Sequence, residues 1–271
     1  MPEGTLPGWL LAIARMAGVL VVLYLLAGGA VWIFAEWMIF QPHAPGYTDA
    51  TLVPTADGDS IATVWLPNPD ARYAILYSHG NGEDLGDLRG FLPRLRDAGF
   101  SVLAYDYRGY GMSTRRAPTE RRAYADIEAA YLHLTRTLGV PPERVIIHGR
   151  SLGGGVASEL ASRRTAAALI LESSFTSAFA VVSPRRIFPF DRFGTEARLE
   201  RIRRPVLVIH GTRDEVIAFA HGARLFARAN EPKQRFWVEG AGHNDLVHVA
   251  GDAYWRTLRA FAATLPADES R

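Results

Sequence analysis

Cysteine is absent from the 271-residue chain. That absence excludes disulfides, thiolate metal sites and a cysteine nucleophile together, and it leaves the redox compartment undecided. Neither sign of charge dominates: 30 Lys and Arg against 28 Asp and Glu leave a formal net charge of +2. No window carries the dense basic run that phosphate binding requires, so a nucleic-acid-binding surface is excluded. No spacing of His and carboxylates suggests a metal, no cofactor is expected, and there is no internal repeat or low-complexity segment. What is present is apolar: hydrophobic residues make up 48% and charged residues 21%, enough for a sizeable buried core. The length fits one large domain plus an appendage better than two full domains.

The appendage is N-terminal. Residues 16–35, MAGVLVVLYLLAGGAVWIFA, contain no charge. At about 1.5 Å per residue such a helix spans roughly 30 Å, the thickness of a hydrocarbon core. Trp9 precedes the run, and Trp32 and Trp37 lie at its far end, where interfacial aromatics are expected. A cleaved signal peptide is the rival reading, with Ala27-Gly28-Gly29-Ala30 as small residues for cleavage. The apolar run continues through Val31–Phe34, past those residues, which favours an uncleaved transmembrane helix over a signal peptide. A buried core helix is the third reading. Arg15 and the N-terminal amine precede the span while Glu36 and Asp49 follow it, so the expected topology is single-pass, with the N-terminus cytoplasmic and the main domain on the opposite side. The expected organisation is therefore an anchor over 1–41 and a soluble domain over 42–271.

Within that domain short apolar runs alternate with helical stretches. Strands are expected at 48–54, 60–66, 73–78, 101–105, 145–148, 168–171, 206–210 and 235–238. Helices are expected at 87–97, 120–137, 152–163, 220–229 and 252–264. Strands that alternate with helices imply crossovers, hence a mostly parallel sheet covered on both faces, with the first two strands as an antiparallel edge. Residues 173–204 break the alternation. A connection of that length reads either as a lid-like insert or as a helix and turn packed on the sheet edge.

The chemistry concentrates at strand ends. Gly149-Arg150-Ser151-Leu152-Gly153 matches G-x-S-x-G, preceded by an apolar strand and followed by a helix. A serine on so sharp a strand-to-helix turn has strained backbone, and glycine neighbours leave room for the turn. Ser151 is the expected nucleophile. Serine needs a base, and the base needs a group that holds its tautomer. Nucleophiles on such elbows take their partners in the chain order Ser, acid, His. Asp214 follows the strand at 206–210 and is the expected acid, with Glu172 as runner-up and a helix-cap role as the bland alternative. His243 follows the last strand in a Gly-rich loop and is the expected base; His210, His221 and His248 are its competitors. Asp245 reads as a loop-stabilising or histidine-orienting neighbour. The backbone N–H groups of Leu152 and Asn81 are the expected oxyanion donors, with Gly82 as alternate. His79 reads as a loop-bracing histidine, and Asp106 with Arg108 as a structural hydrogen-bonded turn.

Five segments in order, SHGNGEDLG, YDYRGYGMS, HGRSLGG, HGTRDEVI and VEGAGHND, together resemble the membrane-associated α/β-hydrolase-domain proteins that include protein depalmitoylases and bud-emergence-like hydrolases. The resemblance covers about residues 48–265. It implies an α/β-hydrolase fold, an eight-stranded doubly wound sheet, and the same roles for Ser151, Asp214 and His243. Depalmitoylases of this kind reach the membrane through an acylated N-terminal cysteine cluster; this chain has no cysteine and offers an apolar helix instead. The expected function is hydrolysis of an ester or thioester, with a small-molecule, lipid or acyl-protein substrate, by an enzyme held at a membrane. A peptidase or amidase on the same triad is the enzymatic rival, and a non-catalytic ligand-binding protein the rival of another class.

Overall fold

The computed structural model describes residues 7–183 and 185–266. Pro184 of the insert and the N-terminal amine lie outside the described residues. The chain divides between Ile39 and Phe40 into two units.

The first unit is one helix, α1 (Gly8–Ile39), of 32 residues. It is long and apolar enough to cross a membrane, with a mean hydropathy of 2.4. Its uncharged stretch presents Leu20, Val21, Leu25, Leu26 and Ile33 to the outside. A core helix of a soluble domain buries such side chains, so the buried-helix reading does not hold for this segment.

The second unit is built on an eight-stranded sheet: β1 (Thr51–Pro54), β2 (Ser60–Leu66), β3 (Ala74–Ser78), β4 (Ser101–Tyr105), β5 (Val145–Arg150), β6 (Ala168–Glu172), β7 (Val206–Gly211) and β8 (Lys233–Val238). The spatial order is β1-β2-β4-β3-β5-β6-β7-β8. β1 and β2 pair antiparallel, β2 meets β4 antiparallel, and every later pairing is parallel. All residues of β3, β6 and β7 are buried, which is why they read as unbroken apolar runs in place of an alternation. β8 lies at the far edge, alternates less clearly and is two residues longer than its apolar pattern indicates.

The parallel strands need helical crossovers, and these cover both faces. On one face α2 (Leu92–Asp97) and α9 (Asp252–Ala263) bury Leu95, Tyr254, Leu258 and Phe261 against Ile75, Val102 and Ile146. Against the other pack α3 (Glu120–Leu132), α4 (Leu152–Ala161) and α7 (Phe219–Arg228). The helix expected over 87–97 is broken: a 3-10 turn (Asp87–Gly90) precedes α2, because Pro93 tolerates only the first turn of a helix. The last residues of the stretch 120–137 continue from α3 as a π-helical turn (His133–Thr137). Within the insert lie α5 (Ala178–Val182) and α6 (Thr195–Leu199). α6 packs against α4 and α7 and is flanked by buried Phe193 and Ile202, whereas Val182 and Ile187 near the tip are 89% and 58% exposed. The second half of the insert is thus packed, and the exposed apolar side chains belong to the first.

The stretch holding Asp106 and Arg108 turns with Tyr110 N–H donating to Tyr107 O at 2.9 Å, and the two side chains tie that turn to other segments. Asp106 accepts from Leu85 N–H and from the Tyr47 hydroxyl. Arg108 is fully buried and donates from its backbone N and its Nε to Asp126 of α3, at 2.9 and 2.6 Å. Its Nη1 reaches Asp57 at 2.5 Å and Asp59 at 3.0 Å in the β1–β2 turn. The guanidinium therefore ties the antiparallel edge to α3. Burial pushes the Asp126 carboxyl up to about 6 despite the hydrogen bonds from Arg108 that oppose it.

Candidate active site

Four loops at the carboxyl ends of β3, β5, β7 and β8 converge. Ser151 follows β5 at φ 51° and ψ −118°, a conformation rare for a residue with a side chain. Surrounding bonds hold it there: its N–H donates to Glu172 O at 2.8 Å, and its carbonyl accepts from Gly154 N–H and the Ser174 hydroxyl. The flanking glycines are required by contact. A Cβ at Gly149 would lie 2.2 Å from Gly153 O, and one at Gly153 would lie 2.1 Å from Ser78 O. This is the physical content of the G-x-S-x-G pattern, a strand and helix too close for any side chain between them.

His243 Nε2 stands 3.1 Å from Ser151 Oγ, and His243 Nδ1 stands 2.8 Å from Asp214 Oδ2. The other Asp214 oxygen accepts from Val216 N–H at 3.0 Å and Ile217 N–H at 2.7 Å. Burial alone would raise the Asp214 carboxyl; the His243 bond and the Ile217 N–H outweigh it and hold the group below the usual carboxylate range. An ionised carboxylate fixes the Nδ1–H tautomer and leaves Nε2 free to accept the serine proton. All three side chains are buried.

The competitors Glu172, His210 and His221 make other hydrogen bonds, although His210 Nε2 also lies 3.4 Å from Asp214 Oδ2. Glu172 is buried beneath the site, accepting from His148 Nε2 at 3.0 Å and from the Tyr254 hydroxyl at 2.6 Å. His210 Nε2 donates to Ile217 O at 2.8 Å, and burial lowers its pKa. His221 accepts from Thr176 N–H at 3.2 Å and so holds the start of the insert. His248 is exposed on a short helix, α8 (Leu246–Ala250), that the sequence pattern did not reveal. Asp245 accepts from Gly242 N–H at 2.7 Å and stabilises the histidine loop. His79 is buried with Nδ1 2.7 Å from Gly80 O and Nε2 facing Asp106 Oδ1 at 3.3 Å. Burial would lower its pKa, yet Asp106 and the Gly80 carbonyl raise it on balance.

Leu152 opens α4, so its amide is among the first N–H groups of that helix. Asn81 is fixed through its side chain, whose Oδ1 accepts from Gln41 N–H at 2.9 Å and from the Tyr110 hydroxyl at 2.6 Å. Phe40 packs edge-on to Tyr110 and Phe193, so the first residues of this unit lie beside the loop after β4 and the insert.

Two features of the site were not legible in the sequence. Arg150, the variable position of the pentapeptide, donates to Glu83, to His243 O at 3.0 Å and to Asn244 Oδ1 at 3.0 Å. A motif that permits any residue there gives no signal. The ligand-type atoms of His43, Asp84 and Asp87 come within 4.8 Å of one another, a grouping that sequence spacing did not suggest. The buried Asp84 carboxylate there already accepts the N–H groups of Gly46, Gly86 and Asp87.

The parallel sheet with its nucleophile elbow and the convergent acid and histidine loops defines an α/β-hydrolase. Residues 69–187 match the family model described as serine aminopeptidase, S33. An esterase of Pyrococcus furiosus superposes with a TM-score of 0.70 at 17% identity, covering 83% of this chain and 98% of that one. The esterase RhEst1 of a Rhodococcus species gives 0.65 at 19% identity, covering 81% and 100%. Human α/β-hydrolase domain-containing protein 17B is 42% identical over 233 residues, 84% of this chain and 80% of that protein. Protein 17C of Xenopus tropicalis is 43% identical over 197 residues, 72% and 63% of the two chains. The chain belongs to the family of α/β-hydrolase domain-containing proteins 17, as the five motifs imply.

Proposed function

We propose that the protein is a membrane-anchored serine hydrolase that cleaves carboxylic ester or thioester bonds through an acyl-enzyme. The observation that carries this reading is the continuous hydrogen-bonded line from Asp214 through His243 to Ser151 Oγ, at 2.8 and 3.1 Å. Ser151 attacks the carbonyl carbon while His243 takes its proton. The resulting oxyanion rests on the Leu152 and Asn81 amides. His243 then protonates the leaving alcohol or thiol, and a water activated by the same histidine releases the acid.

An acyl chain fits the surroundings. The insert brings Phe179, Phe188 and Phe190 together in ring contact near exposed Val182 and Ile187. Such a surface offers apolar contact to an acyl chain. The test uses detergent-solubilised full-length protein with p-nitrophenyl esters of increasing chain length and a fluorophosphonate probe. Ser151-dependent labelling and a kcat/KM that rises from acetate to palmitate are expected, by about tenfold for each 1.4 kcal/mol of added apolar contact. A preference for short esters would keep the hydrolase and remove the acyl-chain assignment. The serine aminopeptidase description of the matching family model supports a second reading, an amidase; turnover of aminoacyl amides with no turnover of esters would select it.

The anchor is α1, uncleaved, with the N-terminus cytoplasmic and the hydrolase unit across the membrane. The support is Arg15 before the span and Glu36 after it. Protease added to intact spheroplasts is expected to digest the hydrolase unit. Full protection until lysis would reverse the orientation, and release of the protein by carbonate wash would remove the anchor.

A further inference from the structure

Arg150 sits between Gly149 and Ser151 with its side chain 13% exposed. Its guanidinium touches three segments. One Nη donates to Glu83, whose second oxygen accepts the Gly80 amide at 2.9 Å, one residue before Asn81. The other donates to the His243 carbonyl and to Asn244 Oδ1, both at 3.0 Å. Nε faces buried Glu172 at 3.8 Å, beneath the elbow. No donor reaches Ser151 Oγ or the imidazole, so the group acts on the backbone that carries the reacting residues.

We propose that Arg150 is a positioning residue of the hydrolytic reaction, a planar clamp that fixes the oxyanion loop and the histidine loop relative to the nucleophile elbow. The proposal rests on the serine-hydrolase reading above. The elbow, the loop after β3 and the loop after β8 come from distant parts of the chain, and catalysis needs all three in register within a fraction of an ångström. A guanidinium meets the requirement because its donors lie in one rigid plane, so bonds made on two edges fix both loops at a set separation. A lysine ammonium at the same place satisfies one loop at a time. Because the side chain is largely withdrawn from water, solvent does not screen these bonds.

The test compares wild type, Arg150→Lys, Arg150→Ala and Glu83→Gln as full-length protein in detergent, reading kcat, KM, fluorophosphonate labelling rate and thermal midpoint. Arg150→Lys is expected to lower kcat and labelling by roughly 10- to 100-fold, the scale of a displacement of about 1 Å, with KM within about twofold and the midpoint unchanged. Methylguanidinium is expected to restore part of the activity of Arg150→Ala where methylammonium does not. Glu83→Gln, which keeps its shape but loses its charge, is expected to reproduce a milder kcat defect and keeps the test alive if the arginine variants fail to fold. Wild-type kcat in both Arg150→Lys and Glu83→Gln would overturn the proposal, as would a loss confined to KM or one that tracks a lowered midpoint. Wild-type turnover that is indifferent to Ser151→Ala would instead overturn the hydrolase reading itself.

Discussion

Replacement of Ser151 by alanine is expected to reduce kcat on a p-nitrophenyl ester by about 10⁶-fold and to abolish fluorophosphonate labelling, with the thermal midpoint unchanged. On the proposed mechanism the Ser151 oxygen, 3.1 Å from His243 Nε2, is the attacking group, so its loss removes the covalent route while the backbone donors remain. Asp214→Asn tests the same line at its other end. An amide in place of the carboxylate can still meet the imidazole, but it offers an N–H where His243 needs an acceptor, and the histidine adopts the wrong tautomer. The expected loss in kcat is about 10⁴-fold, with KM little changed. Glu172→Gln is the informative comparison, since the sequence makes Glu172 the runner-up acid. It lies on His148 and Tyr254, not on His243, so its replacement is expected to lower stability with a much smaller effect on kcat. A Glu172→Gln defect as deep as that of Asp214→Asn would contradict the assignment.

The largest stability effect is expected at Arg108. Arg108→Leu leaves Asp126 buried without its cation and frees the turn that holds Asp57 and Asp59. Breaking one partner of a buried pair costs about 3–5 kcal/mol, which for a domain of this size lowers the midpoint by roughly 10 °C. The loss depends on pH in a defined direction. The folded Asp126 carboxyl titrates at about 6 against an ordinary 3.8, so between these values the native state binds more protons than the unfolded state. The stability this group contributes is therefore fully present below about pH 3.8 and lost as pH rises through about 6. Without Arg108 the native carboxyl rises further. The deficit relative to wild type is thus expected to be largest at pH 8 and to shrink towards pH 5.5, as read by urea unfolding at the two values. A deficit independent of pH would show that Asp126 is not the group left exposed to the loss.

The apolar runs at β3, β5, β6 and β7 were legible because strands buried on both faces carry no polar face to obscure them. The elbow was legible because its glycines are demanded by atoms close in sequence or in the adjoining strand: Gly149 has no room for a Cβ against Gly153, nor Gly153 against Ser78. Asp214 and His243 could be named because each follows a strand in a fixed chain order, and strand ends are local features. These are short-range consequences of residue type, and the sequence by itself determined them. Only the tertiary structure decided that Glu172 belongs to His148 and Tyr254, that half the insert is packed and its tip is not, and that Arg150 joins three loops. Each of these depends on which distant segments the sheet brings together. The Arg150 and His243 guanidinium–carbonyl contact spans 93 residues, a separation over which no pattern in the chain carries a signal.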